Sequence, residues 1–317
     1  MLNNEVCEQF LSHCQHGKQL SPHTIRAYKQ DLASFVKLVK EQDIQSFDKT
    51  QLKDYVIKLH QSELSIRTIK RRIACLKSMF RWLELEDIIE VNPFHKADIS
   101  VKVPKQLPRN IPKNNLRKML KAARLNLNLA KEDSYSLSTL QALITTPKQV
   151  NKLTCLLAVE LLFSTGMRVS ELVSIKIQHI FLSEKKIKIL GKGQRERFVF
   201  LPNKELSDLV ASYLSLREVT KPKHGLMLTN SRGKEASPHF IRKLIREMSS
   251  LAKIDRITPH MYRHSAACQL LESGVDIRFV QRLLGHQSIL TTQLYTYVND
   301  NVLQKKIAKA NTRGAIS

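Results

Sequence analysis

Between Val91 and Pro112 the chain reads VNPFHKADISVKVPKQLPRNIP, a stretch with four prolines, several Lys and Arg residues and no helical period. Proline fixes its own φ, has no N–H to donate and biases the preceding residue towards extended backbone, so such a segment belongs neither in a helix interior nor in a central strand. The chain is therefore expected to fold in two parts, residues 1–90 and 113–317, joined by an extended basic linker at 91–112. With 317 residues, 42% of them apolar, each part has enough material for its own core.

The first part is helical by pattern. Ser21-Pro22 is an N-cap followed by proline at the first helical position, and Ile25, Tyr28, Leu32, Phe35, Val36 and Val39 follow at helical spacing. Leu52, Tyr55, Val56 and Leu59 repeat the pattern, as do Ile69, Ile73, Leu76, Phe80 and Leu83. A small helical bundle is expected. Its third segment carries Lys70, Arg71, Arg72, Lys77 and Arg81 with no nearby acid in the sequence to pair them. That favours a surface tracking phosphates over an ordinary solvated face.

In the second part NNLRKMLKAARL is helical by pattern, and the polar stretch at about 126–150 reads as a surface excursion. VNKLTCLLAVELLFSTGMRVSELVSIKI is apolar enough for a buried helix, broken at Ser164-Thr165-Gly166 and restarting near Met167. KKIKILGKGQRERFVFLP then alternates with period two around a Gly-Lys-Gly tip, the signal of a β-hairpin alone or within a three-stranded sheet. Helical patterns return over Pro238 to Leu251, His260 to Glu272, Asp276 to Leu284 and from about Thr291, with a basic tail from Lys305. The fold class is mainly α with one small β-sheet.

The chain holds 52 Lys plus Arg against 28 Asp plus Glu, a formal charge of +24, which points to a polyanionic partner, above all nucleic acid. There is no run of roughly 18 apolar residues to span a bilayer, and MLNNEVCEQF lacks the layout of a secretory signal, so cytoplasmic residence without a membrane is expected. Cys7, Cys14, Cys75, Cys155 and Cys268 are scattered and never form CxxC, which supports neither a disulfide framework nor a zinc site but buried, reduced thiols. No Walker loop, dinucleotide fingerprint or His/Asp metal cluster is present. Any catalysis then rests on side chains, with no cofactor or metal.

The densest polar constellation is TPHMYRHSAACQLLESGVDIRFVQRLLGHQSILTTQLYTYV, with Arg168 and Lys192 upstream. Here the chain resembles the tyrosine recombinase (phage integrase) family, and within it the Xer-like recombinases. The likeness runs through LSPHTIRAYKQDLASF, SIRTIKRRIACLKSMFRWL, VNPF and VPKQLPRNIP, then TGMRVSEL, GKGQRERFVFLP, HMYRHSAACQLLESG and LLGHQSILTTQLYTYV. The resemblance implies a two-domain clamp on DNA: an α-helical, SAM-like core-binding domain and an α+β catalytic domain. It implies that Arg168 and Arg263 hold the scissile phosphate, that Lys192 is the hairpin lysine, that His260 and His286 are the active-site histidines and that Tyr295 is the nucleophile. Alone, Arg168 would pass for a helix-surface arginine paired with Glu171 at i, i+3; beside the later motifs Glu171 reads instead as support for a catalytic Arg168.

The chemistry explains these residue types. A phosphodiester attacked by an oxygen nucleophile gathers negative charge on its non-bridging oxygens, which two guanidinium forks neutralise and orient. A phenol with a pKa of about 10 needs a proton acceptor, for which His260 is the candidate, and the departing 5′ oxygen needs a proton, which Lys192 can give. Tyr295 and Tyr297 compete as nucleophile, since residues two apart on a helix face different sides; the nine-residue step from His286 and the TTQLYT context select Tyr295. His264 reads as structural. Met261-Tyr262 is an uncommon filling of the HxxR motif, histidine is common in the family where Tyr297 stands, and the 126–150 stretch is longer than in a typical Xer protein.

The expected partners are duplex DNA recombination sites, a homotetramer on synapsed DNA or a heterotetramer with a second recombinase, and possible accessory proteins. The taller competitor to this reading is a catalytically silent DNA-binding regulator of the same fold; a type IB topoisomerase fits less well because its amino-terminal organisation differs. All six catalytic residue types stand at matching positions, which argues against a silent protein.

Overall fold

The computed structural model describes residues 3–39, 43–95, 97–104, 109–191 and 195–285. The chain divides into two compact units, Met1–Gln106 and Leu107–Ser317. No helix among the described residues is long and apolar enough to cross a membrane.

Among the described residues the amino-terminal unit has four α-helices, α1 (Asn3–Ser12), α2 (Pro22–Val39), α3 (Lys49–Gln61) and α4 (Ile66–Leu85). Their starts are written in the sequence. Ser21 Oγ accepts from Thr24 N ahead of α2, Asp48 and Gln51 form a reciprocal capping box at α3, and Ser65 Oγ accepts from Thr68 N at α4. The apolar faces meet in an aromatic core. Phe35 lies edge-on to Phe47, Tyr55 and Phe80, with ring centroids 5.4, 5.1 and 6.2 Å away. Each such ring, fully buried, stabilises the unit by about 1.5–3 kcal/mol through removal from water alone.

The expected linker is anchored at both ends. Asn92 is buried, its Oδ1 accepts from Phe94 N, and Phe94 lies 5.9 Å from Phe80, so VNPF closes the amino-terminal core. Ala97, Ile99 and Val101 also pack on that core. At the far end Ile111 N donates to Ser265 Oγ, and Ser265 Oγ to Asn110 Oδ1, within the second unit.

The carboxy-terminal unit contains α5 (Lys113–Asn126), α6 (Leu137–Leu143), α7 (Pro147–Thr165), the short α8 (Val169–Val173), strands β1 (Ile180–Phe181), β2 (Lys186–Leu190) and β3 (Glu196–Phe200), then α9 (Lys204–Leu216), α10 (Pro238–Leu251), α11 (Pro259–Glu272) and α12 (Ile277–Leu284). Helix α7 is buried on nearly every side and packs against α5, α9, α10 and α11, which is why its sequence is apolar all round. The strands form one antiparallel sheet in the order β1-β2-β3, with Ile187 opposite Val199 and Ile189 opposite Arg197.

One expectation is corrected. The 126–150 stretch is not a surface excursion: it carries α6, and Leu127, Leu129, Tyr135, Leu140 and Ile144 are all buried in the main core. Its polar residues hid a sparse apolar pattern that is satisfied by α9 and by Arg124. The Arg124 guanidinium donates to the carbonyls of Ala130, Lys131 and Asp133 and lies 4.8 Å over the Tyr135 ring.

Candidate active site

TGMRVSEL is a helix stop followed at once by a helix start. Gly166 ends α7 with φ +63°, in the left-handed region, and its N–H bonds Leu162 O. A Cβ there would lie 2.7 Å from Leu284 Cδ2, so any larger residue would also have to displace that side chain of α12. Two residues on, Arg168 is the extended N-cap of α8. Its backbone N–H donates to Glu171 Oε2 (2.7 Å) and its Nη1 to Glu171 Oε1 (2.8 Å).

Glu171 is buried and also receives both Arg197 guanidinium nitrogens, Nη1 to Oε1 at 2.9 Å and Nη2 to Oε2 at 2.8 Å. Burial by itself would raise its pKa. The hydrogen bonds from Arg197 and Arg168, with the charge of Arg197, outweigh burial and hold the carboxyl below its ordinary value. The pairing of Arg168 with Glu171 at i, i+3 is thus no loose surface contact but one edge of an arginine–carboxylate–arginine frame.

Arg263 is presented by α11, one turn after His260. Thr258 caps this helix, Pro259 occupies its first turn, and the spacing of three puts His260 and Arg263 on neighbouring positions of one face. The Arg263 guanidinium is buried and donates to Gly166 O (2.9 Å) and Leu284 O (2.6 Å), which ties the end of α7 to the end of α12. His260 is exposed. Desolvation, then the positive charges of Arg242, Arg263 and Arg168, hold its pKa below the usual 6.5. Arg168 at the start of α8 and His260 and Arg263 on α11 therefore share one electrostatic neighbourhood. Lys192, His286, Tyr295 and Tyr297, and the helix expected from about Thr291, lie outside the described residues.

His264 is buried beside Cys268, with Sγ 3.8 Å from its Nε2, in keeping with a structural role. All five cysteines are free and buried, and burial pushes Cys7 and Cys268 up to about 11 and Cys155 to about 12, which leaves them as thiols. Among the described residues no group of three or more His, Cys, Asp or Glu side chains is placed to hold a metal ion.

In the amino-terminal unit the basic run has a partner that its own segment does not show. Asp31 of α2 is buried; Arg71 Nη1 donates to its Oδ2, and Arg72 Nε lies 3.8 Å from its Oδ1. Arg71 and Arg72 thus staple α4 to α2, while Lys70, Lys77 and Arg81 are exposed. Two further residues escaped the sequence reading. Arg197 carried a usable signal, since alternation in β3 places it on the inward face with Val199, an unusual position for a cation. Arg242 lies on a helix with no motif, and only the fold brings it near His260.

The phage integrase family pattern matches residues 136–302, and the phage integrase N-terminal SAM-like domain matches residues 7–87. The chain belongs to the phage integrase family. The chain is 35% identical over 292 residues to a tyrosine recombinase of Agathobacter rectalis, covering 91% of this chain and 90% of the relative. It is 30% identical over 312 residues to tyrosine recombinase XerC of Leptospira interrogans, covering 97% and 93%. This integrase-family chain is accordingly an enzyme of the tyrosine recombinase type. Solved structures share its fold at lower identity: XerH recombinase bound to palindromic difH substrate, with a TM-score of 0.69, 22% identity and 95% and 84% coverage, and a lambda integrase dimer bound to a COC′ core site, with 0.71, 14%, 94% and 96%.

Proposed function

We propose that the chain recombines duplex DNA at specific sites through a 3′-phosphotyrosyl intermediate, with Tyr295 as nucleophile. The observation that carries this reading is the frame around Gly166: Arg168 and Arg263, far apart in sequence, are held on either side of one turn, with His260 in the field of both. A pair of anchored guanidiniums is what a phosphodiester needs to have its non-bridging oxygens neutralised and its orientation fixed.

The steps balance without a cofactor. The Tyr295 phenol gives its proton to His260, and its oxygen attacks phosphorus. The P–O5′ bond breaks, and the leaving oxygen takes a proton from Lys192, in the segment joining β2 to β3. The lowered pKa of His260 keeps its imidazole neutral, hence able to accept, at neutral pH. His286 donates to a phosphate oxygen, and Glu171 keeps Arg168 in place. One phosphoester is exchanged for another, so a second 5′ hydroxyl reverses the step on a new strand with no ATP. Two such rounds pass through a Holliday junction in a tetramer on synapsed sites, formed by this chain alone or with a second recombinase and accessory proteins. Lys70, Arg71, Arg72, Lys77 and Arg81 give the first unit its phosphate-tracking face, residues 1–90 and 113–317 act as core-binding and catalytic domains, and the reaction takes place in the cytoplasm.

The test is a nicked suicide substrate, whose cleavage traps the covalent adduct, with Tyr295→Phe and Tyr297→Phe beside the parent. The adduct is expected from the parent and from Tyr297→Phe and is lost in Tyr295→Phe. Tight DNA binding with no adduct on any candidate site, in any partner combination, would favour the silent regulator instead.

A further inference from the structure

Arg197 sits where three elements meet. From β3 it gives two hydrogen bonds to Glu171 on α8, and its Nε donates to Leu283 O (2.8 Å) in the last turn of α12. All three directions of the guanidinium fork are engaged, and the side chain is only 12% exposed. Two glycines lie against it. A Cβ at Gly191, the last described residue of the β2 side of the hairpin, would lie 3.3 Å from Arg197 Nη1. A Cβ at Gly285, which follows α12 with φ +66°, would lie 3.0 Å from the same atom and 3.2 Å from Cζ. Gly191 immediately precedes Lys192, and Gly285 immediately precedes His286.

We propose that Arg197 is a positioning residue for cleavage: its guanidinium is the common anchor from which the Lys192 and His286 segments both leave, locked to the carboxylate that holds Arg168. The inference rests on the roles given above to Lys192 and His286. It adds that general acid, phosphate contact and first arginine are set against one another by a single planar cation. Lysine cannot replace it, because one ammonium does not span both carboxylate oxygens and a carbonyl on a different element. The inward-facing Arg197, and not the exposed hairpin surface, then fixes where the hairpin stands.

Arg197→Lys and Arg197→Ala separate this from general damage. Amide hydrogen exchange on the free protein is expected to quicken in residues 186–200 and at 283–285 in both variants, with α5, α7 and α9 unchanged. On the nicked substrate both variants bind DNA as the parent does while adduct formation slows by about 100-fold, the scale of a small misplacement of reacting groups. A substrate whose 5′ leaving oxygen is replaced by sulfur needs no general acid, and on it the deficit of either variant is expected to shrink at least tenfold, as it does for Lys192→Ala. Parent-like exchange in the hairpin, parent-like cleavage, or equal deficits on the oxygen and sulfur substrates would each overturn the role of Arg197. The underlying site reading fails by a different sign: an adduct that survives in Tyr295→Phe, or a Lys192→Ala deficit that the sulfur substrate does not relieve.

Discussion

Asp31 in the amino-terminal unit and Glu171 in the carboxy-terminal unit are both buried carboxylates flanked by two arginines, yet their pKa values move in opposite directions. Asp31 receives one strong bond, from Arg71; its Oδ1 has no hydrogen-bond partner and sees Arg72 only at 3.8 Å. Desolvation wins there, and the carboxyl is raised against the pull of both arginines. Glu171 accepts four bonds, two on each oxygen, and they outweigh a comparable burial. The number and geometry of donors, not the charge of the neighbours, decides the outcome. The first arrangement is a staple between two helices, with one arginine half in solvent. The second holds its cations rigid, which is what a site that must meet a phosphate in one orientation requires.

The sharpest way to break the comparison is to remove one charge from each. Glu171→Gln keeps the shape but loses the charge and one acceptor facing two guanidiniums. Adduct formation is expected to fall about 100-fold, with DNA affinity nearly unchanged, because the arginines remain cationic but lose their alignment. Single-turnover cleavage with a parallel binding titration measures this, and a loss confined to affinity would contradict it. Asp31→Asn is expected to leave cleavage intact and to cost about 1 kcal/mol or less of stability, since Arg71 is exposed enough to be rehydrated and the neutral amide avoids the desolvation that Asp31 bears.

Melting these two variants and the parent across pH sharpens the point, because the signs differ. Glu171 has a folded pKa below its unfolded one, so its contribution is full above about 4.5 and is lost as pH falls through the folded value. The gap between parent and Glu171→Gln should narrow on acidification. Asp31 has a folded pKa above its unfolded one, so the parent gains stability relative to Asp31→Asn as pH falls from the folded value towards 3.8. Slopes of the same sign would show that the two carboxylates are not held differently.

The same contrast explains what could be read in the sequence. Ser21-Pro22, the Gly166 stop and the alternation around the Gly-Lys-Gly tip are local signals, and the helices and hairpin stand where they place them. Arg168 with Glu171 was legible because the pair lies within one helical turn. Arg71 with Asp31, 40 residues apart, and Arg197 with Glu171, 26 apart, were not, since no period links residues on different elements. The buried residues of the 126–150 stretch were missed for a related reason: Leu127, Leu129, Tyr135, Leu140 and Ile144 follow no single period because they line a turn, an extended run and a short helix in succession. Motif resemblance named the catalytic candidates and local spacing gave Glu171, but Arg197, which locks Glu171 in place, came only from the fold.

Arg242 offers the smallest effect and a test of whether long-range charge matters at this site beyond the bonded frame. It is an exposed cation on α10 whose charge follows desolvation as the leading influence on His260. Lowering a histidine pKa keeps the imidazole neutral to more acidic pH, so the base form of His260 persists below 6.5 in the parent. Removing the charge in Arg242→Ala should move the His260 midpoint up towards 6.5, as followed by imidazole proton shifts in the free protein. The acidic limb of the cleavage profile should move the same way: the variant loses activity earlier on acidification and matches the parent at pH well above the midpoint. Since the site is partly open to solvent, added salt should screen the difference. A midpoint unmoved by Arg242→Ala would mean that desolvation, Arg263 and Arg168 account for His260 between them, without help from α10.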